Sequence, residues 1–270
     1  MPIDDKMADP NSRNDWTRRR LLQAAAAAGG ALGAGALSAS DSVKATGAAT
    51  GRAMMFDIDV RIPAGTLAAW ERFWGEENVP ALEANGQWLW GAWSSLTGPQ
   101  NTVTHEWAYR DLAQFQDMEK MRTSNPQVLA LRRKSIPIED TVVSSVMTPL
   151  PYHPTEPFTA PAGQMGLIAT HRIALAGASS TADYGAMAAD YVTRAARHGA
   201  QLVGAYQSFF GWTPKYQLQV WRYAGVEQYL RIRQAIEADP SCQQLLTGMR
   251  SLFPLESVEL HQPTSYSRIR

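Results

Sequence analysis

Trp107-Ala108-Tyr109 recurs as Trp221-Arg222-Tyr223, and much of what surrounds the first triplet surrounds the second. Eight residues beyond each Trp stands an aromatic, Phe115 and Tyr229. Nineteen beyond stands a proline, in Ser124-Asn125-Pro126 and Ala238-Asp239-Pro240. Upstream, Leu89-x-Gly91-x-Trp93 matches Leu202-x-Gly204-x-Tyr206, and Arg61-Ile62 matches Arg172-Ile173. The offset drifts only from 111 to 114 residues. So steady an offset across this many features marks two copies of one unit of about 100 residues.

Hydrophobic period divides each copy into elements. Met55–Ile62 alternates, with Phe56, Ile58, Val60 and Ile62 against Asp57, Asp59 and Arg61, as a half-buried strand does. Thr66–Asn85 carries Leu67, Trp70, Phe73 and Trp74 at helical spacing. Pro80 is expected to kink or break that helix, and Gly86 to end it. Strands over Trp88–Leu96 and Thr102–Arg110 flank a turn at Thr97-Gly98-Pro99. A helix over Leu112–Thr123 ends before Pro126, and Ile138–Met147 is the last strand. The second copy gives strands near 165–175, 201–210, 215–223 and 255–262, and helices near 180–198 and 225–238, with a short extra helix after Pro240. The order βαββαβ is the ferredoxin-like unit.

The expected fold is therefore α+β: two tandem ferredoxin-like βαββαβ repeats, over 53–148 and 164–270. A linker at 149–163 carries prolines 149, 151, 154, 157 and 161. Each unit has one sheet face covered by helices and one bare. Two bare faces in one chain bury each other in a closed or nearly closed eight-stranded barrel with outer helices and room for a small ligand.

Several stretches resemble the NIPSNAP family of the dimeric α/β-barrel superfamily, over roughly residues 54–262. They are Phe56-Asp57-Ile58 leading to Pro63-x-Gly65, Gly91-x-Trp93 with Thr97-Gly98-Pro99, and Asn101-x-Val103-x-His105-x-Trp107-x-Tyr109. Two positions depart from the family pattern: Glu106, where it is usually apolar, and Asp59, where it is commonly basic. The resemblance implies a single-chain dimeric α/β-barrel. It also implies kinship with haem-binding proteins, cofactor-free monooxygenases and small-molecule isomerases, among which fold alone does not choose.

Alternation also sorts candidate site residues by face. Val103, His105, Trp107 and Tyr109 align with Gln217, Gln219, Trp221 and Tyr223. Leu218 and Val220, on the other face, read as helix-packing residues, which turns the Gln/His/Trp/Tyr face toward the cavity. Asp57, Asp59 and Arg61 share a face and are expected in the cavity too. His105, Asp59 and Arg61 are the candidate catalytic groups, His105 as general base or as a haem or metal ligand. Asp57, Trp107, Tyr109, Gln217, Gln219, Trp221 and Tyr223 are the candidate ligand-binding set. Against these stand blander readings: a satisfied structural histidine, mutually paired charges and aromatic barrel filling. Glu106, opposite His105, reads as a paired or rim carboxylate. His171 and His261 read as structural or rim residues. His153 falls in the linker, and His198 at a helix end.

Composition excludes some classes. Lys and Arg number 25, Asp and Glu 25, for a net charge of zero, so no basic excess exists to hold nucleic acid. One cysteine, Cys242, allows neither an internal disulfide nor a Cys-based structural zinc site, and no hydrolase or phosphate-loop motif is present. Thr17-Arg18-Arg19-Arg20-Leu21-Leu22-Gln23, followed by an Ala/Gly-rich stretch to Leu37 and a small-x-small site at Leu37-Ser38-Ala39, has the form of a twin-arginine signal peptide over 1–39. Residues 40–52 read as a flexible lead-in. The expectation is export by the twin-arginine translocase to the periplasm or beyond, with no stable membrane anchor. The expected activity is that of a cofactor-free lyase, isomerase or monooxygenase acting on an aromatic or apolar metabolite. The alternative is a non-catalytic protein binding haem or another small molecule. The cofactor (none or haem) and pairing into homo-oligomers stay open.

Overall fold

The computed structural model describes residues 54–155, 158, 165–174, 181–211, 216–253 and 255–270. The segments expected to be the signal peptide and lead-in, and part of the expected linker, lie outside the described residues. The first half runs β1 (Met54–Arg61), α1 (Leu67–Phe73), a π-helical segment (Trp74–Asn78), α2 (Val79–Ala84), β2 (Leu89–Ser95) and β3 (Thr102–Tyr109). It continues through α3 (Leu112–Ser124), α4 (Pro126–Ser135), a 3-10 turn (Ile136–Ile138) and β4 (Thr141–Pro149). The second half runs β5 (Leu167–Ala174), α5 (Thr181–Arg197), β6 (Gln201–Gly211), β7 (Tyr216–Tyr223), α6 (Val226–Ala238), α7 (Pro240–Leu252) and β8 (Glu256–Pro263).

The eight strands close into one antiparallel barrel in the order β1-β3-β2-β8-β5-β7-β6-β4. Each half keeps its own strands together, β4-β1-β3-β2 and then β8-β5-β7-β6. The halves join where β2 pairs with β8 and β4 with β6. Pairing edge to edge leaves no strand unpartnered.

Local chemistry explains the shared motifs. A Cβ on Gly91 would lie 2.3 Å from the Trp93 ring, and one on Gly204 would lie 2.7 Å from Tyr206, so each glycine makes room for the aromatic two residues on. A bulge stands just before each glycine, in β2 and in β6. Pro80 does not break the first helix: the π-helical turn immediately before it absorbs the missing donor, and the chain stays helical to Ala84. Pro126 does not leave the helical region either. Asn125 Oδ1 accepts from the Gln127 and Val128 N–H groups and caps α4, as Asp239 Oδ1 accepts from Ser241 and Cys242 and caps α7. Each half thus carries an additional helix before its last strand, and β4 starts three residues later than the sequence suggested.

The stretches after β4 and β8 form a reciprocal pair of straps. Leu150 N–H donates to the Ala205 carbonyl, as Thr264 N–H does to Ala92. His153 Nδ1 accepts from Ala205 N–H at 3.1 Å, as Ser267 Oγ accepts from Ala92 N–H at 3.0 Å. Tyr152 then reaches Gln219, and Tyr266 reaches His105. Each half therefore lends a tyrosine to the other.

Which face of the sheet is inside corrects the sequence reading. Leu218 and Val220 fill the barrel interior with Met55, Trp93, Met147 and Ile168. His105, Trp107 and Tyr109 instead face the helices, with Phe56, Trp70, Trp74 and Phe115, and Trp221 and Tyr223 do the same in the second half. Alternation correctly groups residues by face but does not say which face is inward. An eight-stranded barrel has an interior only wide enough to be filled by side chains, so it is itself a dry core and takes Leu, Val and Met. The aromatics of β3 and β7 (Trp107, Tyr109, Trp221 and Tyr223) occupy the layer between sheet and helices, while Trp90, Trp93 and Tyr206 share the interior with the aliphatic residues.

Candidate functional site

Inside the barrel the apolar filling gives way to charge at one end. Asp57, Asp59 and Arg61 from β1 point there, joined by Arg172 from β5, Tyr216 from β7 and Glu259 from β8 around a cavity of about 410 Å³. Pro99, Val143 and Ala174 supply apolar wall. Arg172 Nη2 donates to both oxygens of Asp59, at 3.1 and 2.8 Å, and lies 3.7 Å from Asp57. Its Nη1 lies 3.7 Å from Glu259. Thr104 Oγ1 also donates to Asp59, at 2.7 Å. The Tyr216 hydroxyl donates to Asp57 Oδ2 at 3.0 Å, while Asp57 Oδ1 has no hydrogen-bond partner among the described residues.

Electrostatics separate these groups. Burial, followed by the charge of Asp59, pushes Asp57 up to about 7, although Arg172 and Tyr216 pull the other way. Burial works against the Arg172 charge, but Asp59 and Asp57 more than offset it and hold the guanidinium above its ordinary value. Glu106 sits opposite Asp57 in the β1–β3 register, fully buried, with neither carboxyl oxygen hydrogen-bonded among the described residues. Burial and then the Asp57 charge raise it well above the carboxylate range. It is not the paired or rim group expected, but a buried acid in the wall behind Asp57.

The predicted residues therefore part company. Asp57, Asp59 and Arg61 do meet at one cavity. Arg61 is exposed at its rim, and the cation among the carboxylates is Arg172. The sequence match of Arg61 with Arg172 is two residues out: with Trp107 set on Trp221, the strand registers put Arg172 at the place of Asp59. His105 lies on the other side of the sheet, sharing a 2.8 Å hydrogen bond with Tyr266 and flanked by the Trp74 and Trp70 rings at 4.3 and 6.0 Å. Burial and then the charge of Arg122 lower its pKa to about 3, so it is neutral at pH 7. Trp107 and Tyr109 pack beside it, and Arg122 lies over Trp107. Gln217, Gln219 and Trp221 join Tyr152 in a hydrogen-bond chain on the helix side of the second half. Tyr223 meets Tyr229 edge to face.

A haem iron does not fit at His105, because tryptophan rings and Tyr266 occupy the space an iron ligand must face. His198, Asp239 and Cys242 bring one ligand atom each within 4.8 Å of one another. Asp239 is already used as helix cap and as partner of His198 at 2.9 Å, so the cluster is accounted for without a cation. Of the remaining histidines, His261 is buried in the barrel wall against Thr170. His171 pairs with Glu256 at 2.7 Å beside a second cavity that sequence reasoning missed. No helix among the described residues is long and apolar enough to cross a membrane.

Comparisons with known proteins agree with the fold. A candidate monooxygenase from Fusobacterium nucleatum superposes with TM-score 0.57 at 11% identity, over 79% of this chain and 93% of that one. A second, from Lactobacillus acidophilus, gives 0.56 at 11% identity, over 80% and 97%. An anthrone oxidase-like protein gives 0.55 at 8%, over 80% and 92%. At these identities the likeness concerns the fold alone. No curated protein matches the chain. The NIPSNAP family model matches twice, over residues 59–154 and 168–268, once for each copy of the repeat, and the chain belongs to the NIPSNAP family.

Proposed function

We propose that the protein is an acid–base enzyme acting on a small, largely apolar metabolite bound in the barrel-mouth cavity, with Asp57 as the proton acceptor. One observation carries this reading: Asp57 is 2% exposed, lines a cavity of about 410 Å³, and is held near neutrality. A carboxylate in a desolvated site with a pKa close to the working pH is suited to taking a proton from carbon or from a hydroxyl. In the step, the substrate's acidic C–H or O–H bond breaks. The proton passes to the Asp57 carboxylate, and the electron pair stays on the substrate as an enolate or phenolate. Tyr216 fixes the orientation of Asp57, and Arg172 holds Asp59 beside it by both carboxylate oxygens. That step is common to isomerases, lyases and cofactor-free oxygenases. The names borne by neighbours of the same fold, monooxygenase and anthrone oxidase-like, fall in this range of chemistry. The same proposal reads the barrel as two tandem ferredoxin-like repeats. It also has the chain exported by the twin-arginine translocase on the strength of Thr17 to Gln23.

The test is hydrogen–deuterium exchange of small enolisable ketones and phenols in D₂O, followed by NMR with the full chain. The chain should catalyse exchange of at least one compound class, at a rate rising with pH through about 7. Asp57→Asn should lose about 100-fold or more. Absence of exchange across the panel, or full exchange by Asp57→Asn, overturns the assignment. Stability gives a second readout. The folded-state pKa of Asp57 is raised from 3.8 to about 7, so the native state binds the extra proton and loses stability as pH rises through that window. Asp57→Asn removes this loss and should be more stable than the parent chain above pH 7.

A further inference from the structure

The second cavity lies outside the barrel, between the outer face of β5 and β7 and the helices of the second half. It measures about 260 Å³. For scale, a cavity of roughly 150 Å³ lined by aliphatic and aromatic groups holds benzene. Its walls are of two kinds. Tyr184, Met249 and Phe253 form an apolar end, with Tyr184 and Phe253 in edge-to-face contact at 5.1 Å. The other end carries His171, Glu256 and Arg250.

His171 Nδ1 lies 2.7 Å from Glu256 Oε1. Burial alone would raise Glu256, but the hydrogen bond and charge of His171 outweigh it and leave the acid below its ordinary value. Glu256 is therefore a carboxylate, and the proton between the two sits on Nδ1. The other ring nitrogen, Nε2, has no protein hydrogen-bond partner among the described residues. Arg250 has no ion pair among the described residues, and its positive charge acts across this wall, reaching Glu256.

The first half shows that such a space is not imposed by the fold. There α1 and the π-helical turn bring Trp70 and Trp74 over the sheet, and the layer is filled. Helices α5, α6 and α7 contain no tryptophan, and α5 offers Tyr184, Ala188 and Tyr191 instead. The strap contact is kept all the same, Tyr152 to Gln219 at 3.0 Å. The frame is preserved and the filling is gone.

We infer that this cavity is a second small-molecule site, taking a single-ring hydroxyaromatic compound. The ring lies among Tyr184, Met249 and Phe253, and the hydroxyl is hydrogen-bonded to the Glu256-oriented His171. A phenol matches each wall: an apolar ring for the aromatic end, one acidic hydroxyl for Nε2, and Arg250 to favour negative charge on its oxygen. An aromatic ring without a hydroxyl leaves His171 unpaired.

The experiment is calorimetric titration of the full chain with 4-methylphenol against toluene, and with 4-nitrophenol, whose absorption moves to longer wavelength on deprotonation. The hydroxylated ligand should bind at least tenfold tighter than its match, and bound 4-nitrophenol should show the shifted band. In His171→Ala and in the gentler Glu256→Gln, the tenfold preference should fall toward one. Leu246→Trp, which fills the cavity, should abolish binding while the folded state, followed by circular dichroism, persists. No saturable binding by the parent chain overturns the inference, as does equal binding of the matched pair. Binding lost in Asp57→Asn but kept in His171→Ala places the phenol at the barrel mouth and overturns this site alone.

Discussion

The third strands of the two halves present His105 and Gln219 at matched positions, and each receives a tyrosine hydroxyl from the opposite half. Around His105 the space is closed by Trp70, Trp74 and Trp107. Around Gln219 it opens into a cavity bordered by His171 and Glu256. The barrel mouth shows the same contrast. Arg172 holds in β5 the place that Asp59 holds in β1, so matched positions carry opposite charges and pair with each other, while Arg61 is exposed at the rim. Duplication fixes backbone and contact geometry, while burial and chemistry at equivalent positions go separate ways.

The largest expected asymmetry is at those arginines. Arg172→Ala strands Asp59, Asp57 and Glu259 without their cation and should cost about 3–5 kcal/mol at pH 7. Arg61→Ala should fall within about 0.5 kcal/mol of the parent. Urea unfolding of both decides it, and equal losses would mean that the charge network does not depend on Arg172. Next come the straps. Tyr266→Phe leaves the fully buried His105 Nε2 without a partner and should cost about 1–3 kcal/mol. Tyr152→Phe, beside a cavity that water can enter, should cost about 1 kcal/mol or less. A loss for Tyr152→Phe equal to or above that for Tyr266→Phe would show the second layer to be as closed as the first.

The smallest difference expected is between the caps. Asn125→Ala removes a helix cap and should cost about 1 kcal/mol. Asp239→Ala should cost more, because Asp239 also holds His198. The hydrogen bonds from Ser241 and His198 depress the Asp239 pKa, so its contribution is present above the ordinary carboxylate range and disappears as pH falls below it. The excess of Asp239→Ala over Asn125→Ala should therefore shrink in acid, as thermal melts at neutral and low pH would register.

Much of the architecture was readable in the sequence because it is periodic. The strand alternation of Phe56 to Ile62, the Gly-x-aromatic pairs and the constant offset of the repeat each reflect a local steric rule. The α4 helix was missed because Pro126 looks like an end, and only the Asn125 side chain, accepting from two N–H groups, reveals it as a beginning. The inward face was misassigned because Leu218 and Val220 suit either of two dry layers, and period alone does not distinguish them. Asp57 and Asp59 were legible as cavity residues from alternating charge. Arg172 was hidden in the second copy, more than a hundred residues away. The pairing of His171 with Glu256 depends on β5 lying beside β8, a contact with no local signature.

The closure of the barrel by β2 with β8 and β4 with β6, within one polypeptide, bears on how such a molecule can evolve. When two identical subunits close a barrel, every substitution is made twice, and a change that opens a pocket in one layer weakens both. Here a gene can lose a tryptophan from one helix layer and keep it in the other. Fusion thus lets one half retain rigidity while its twin is free to specialise.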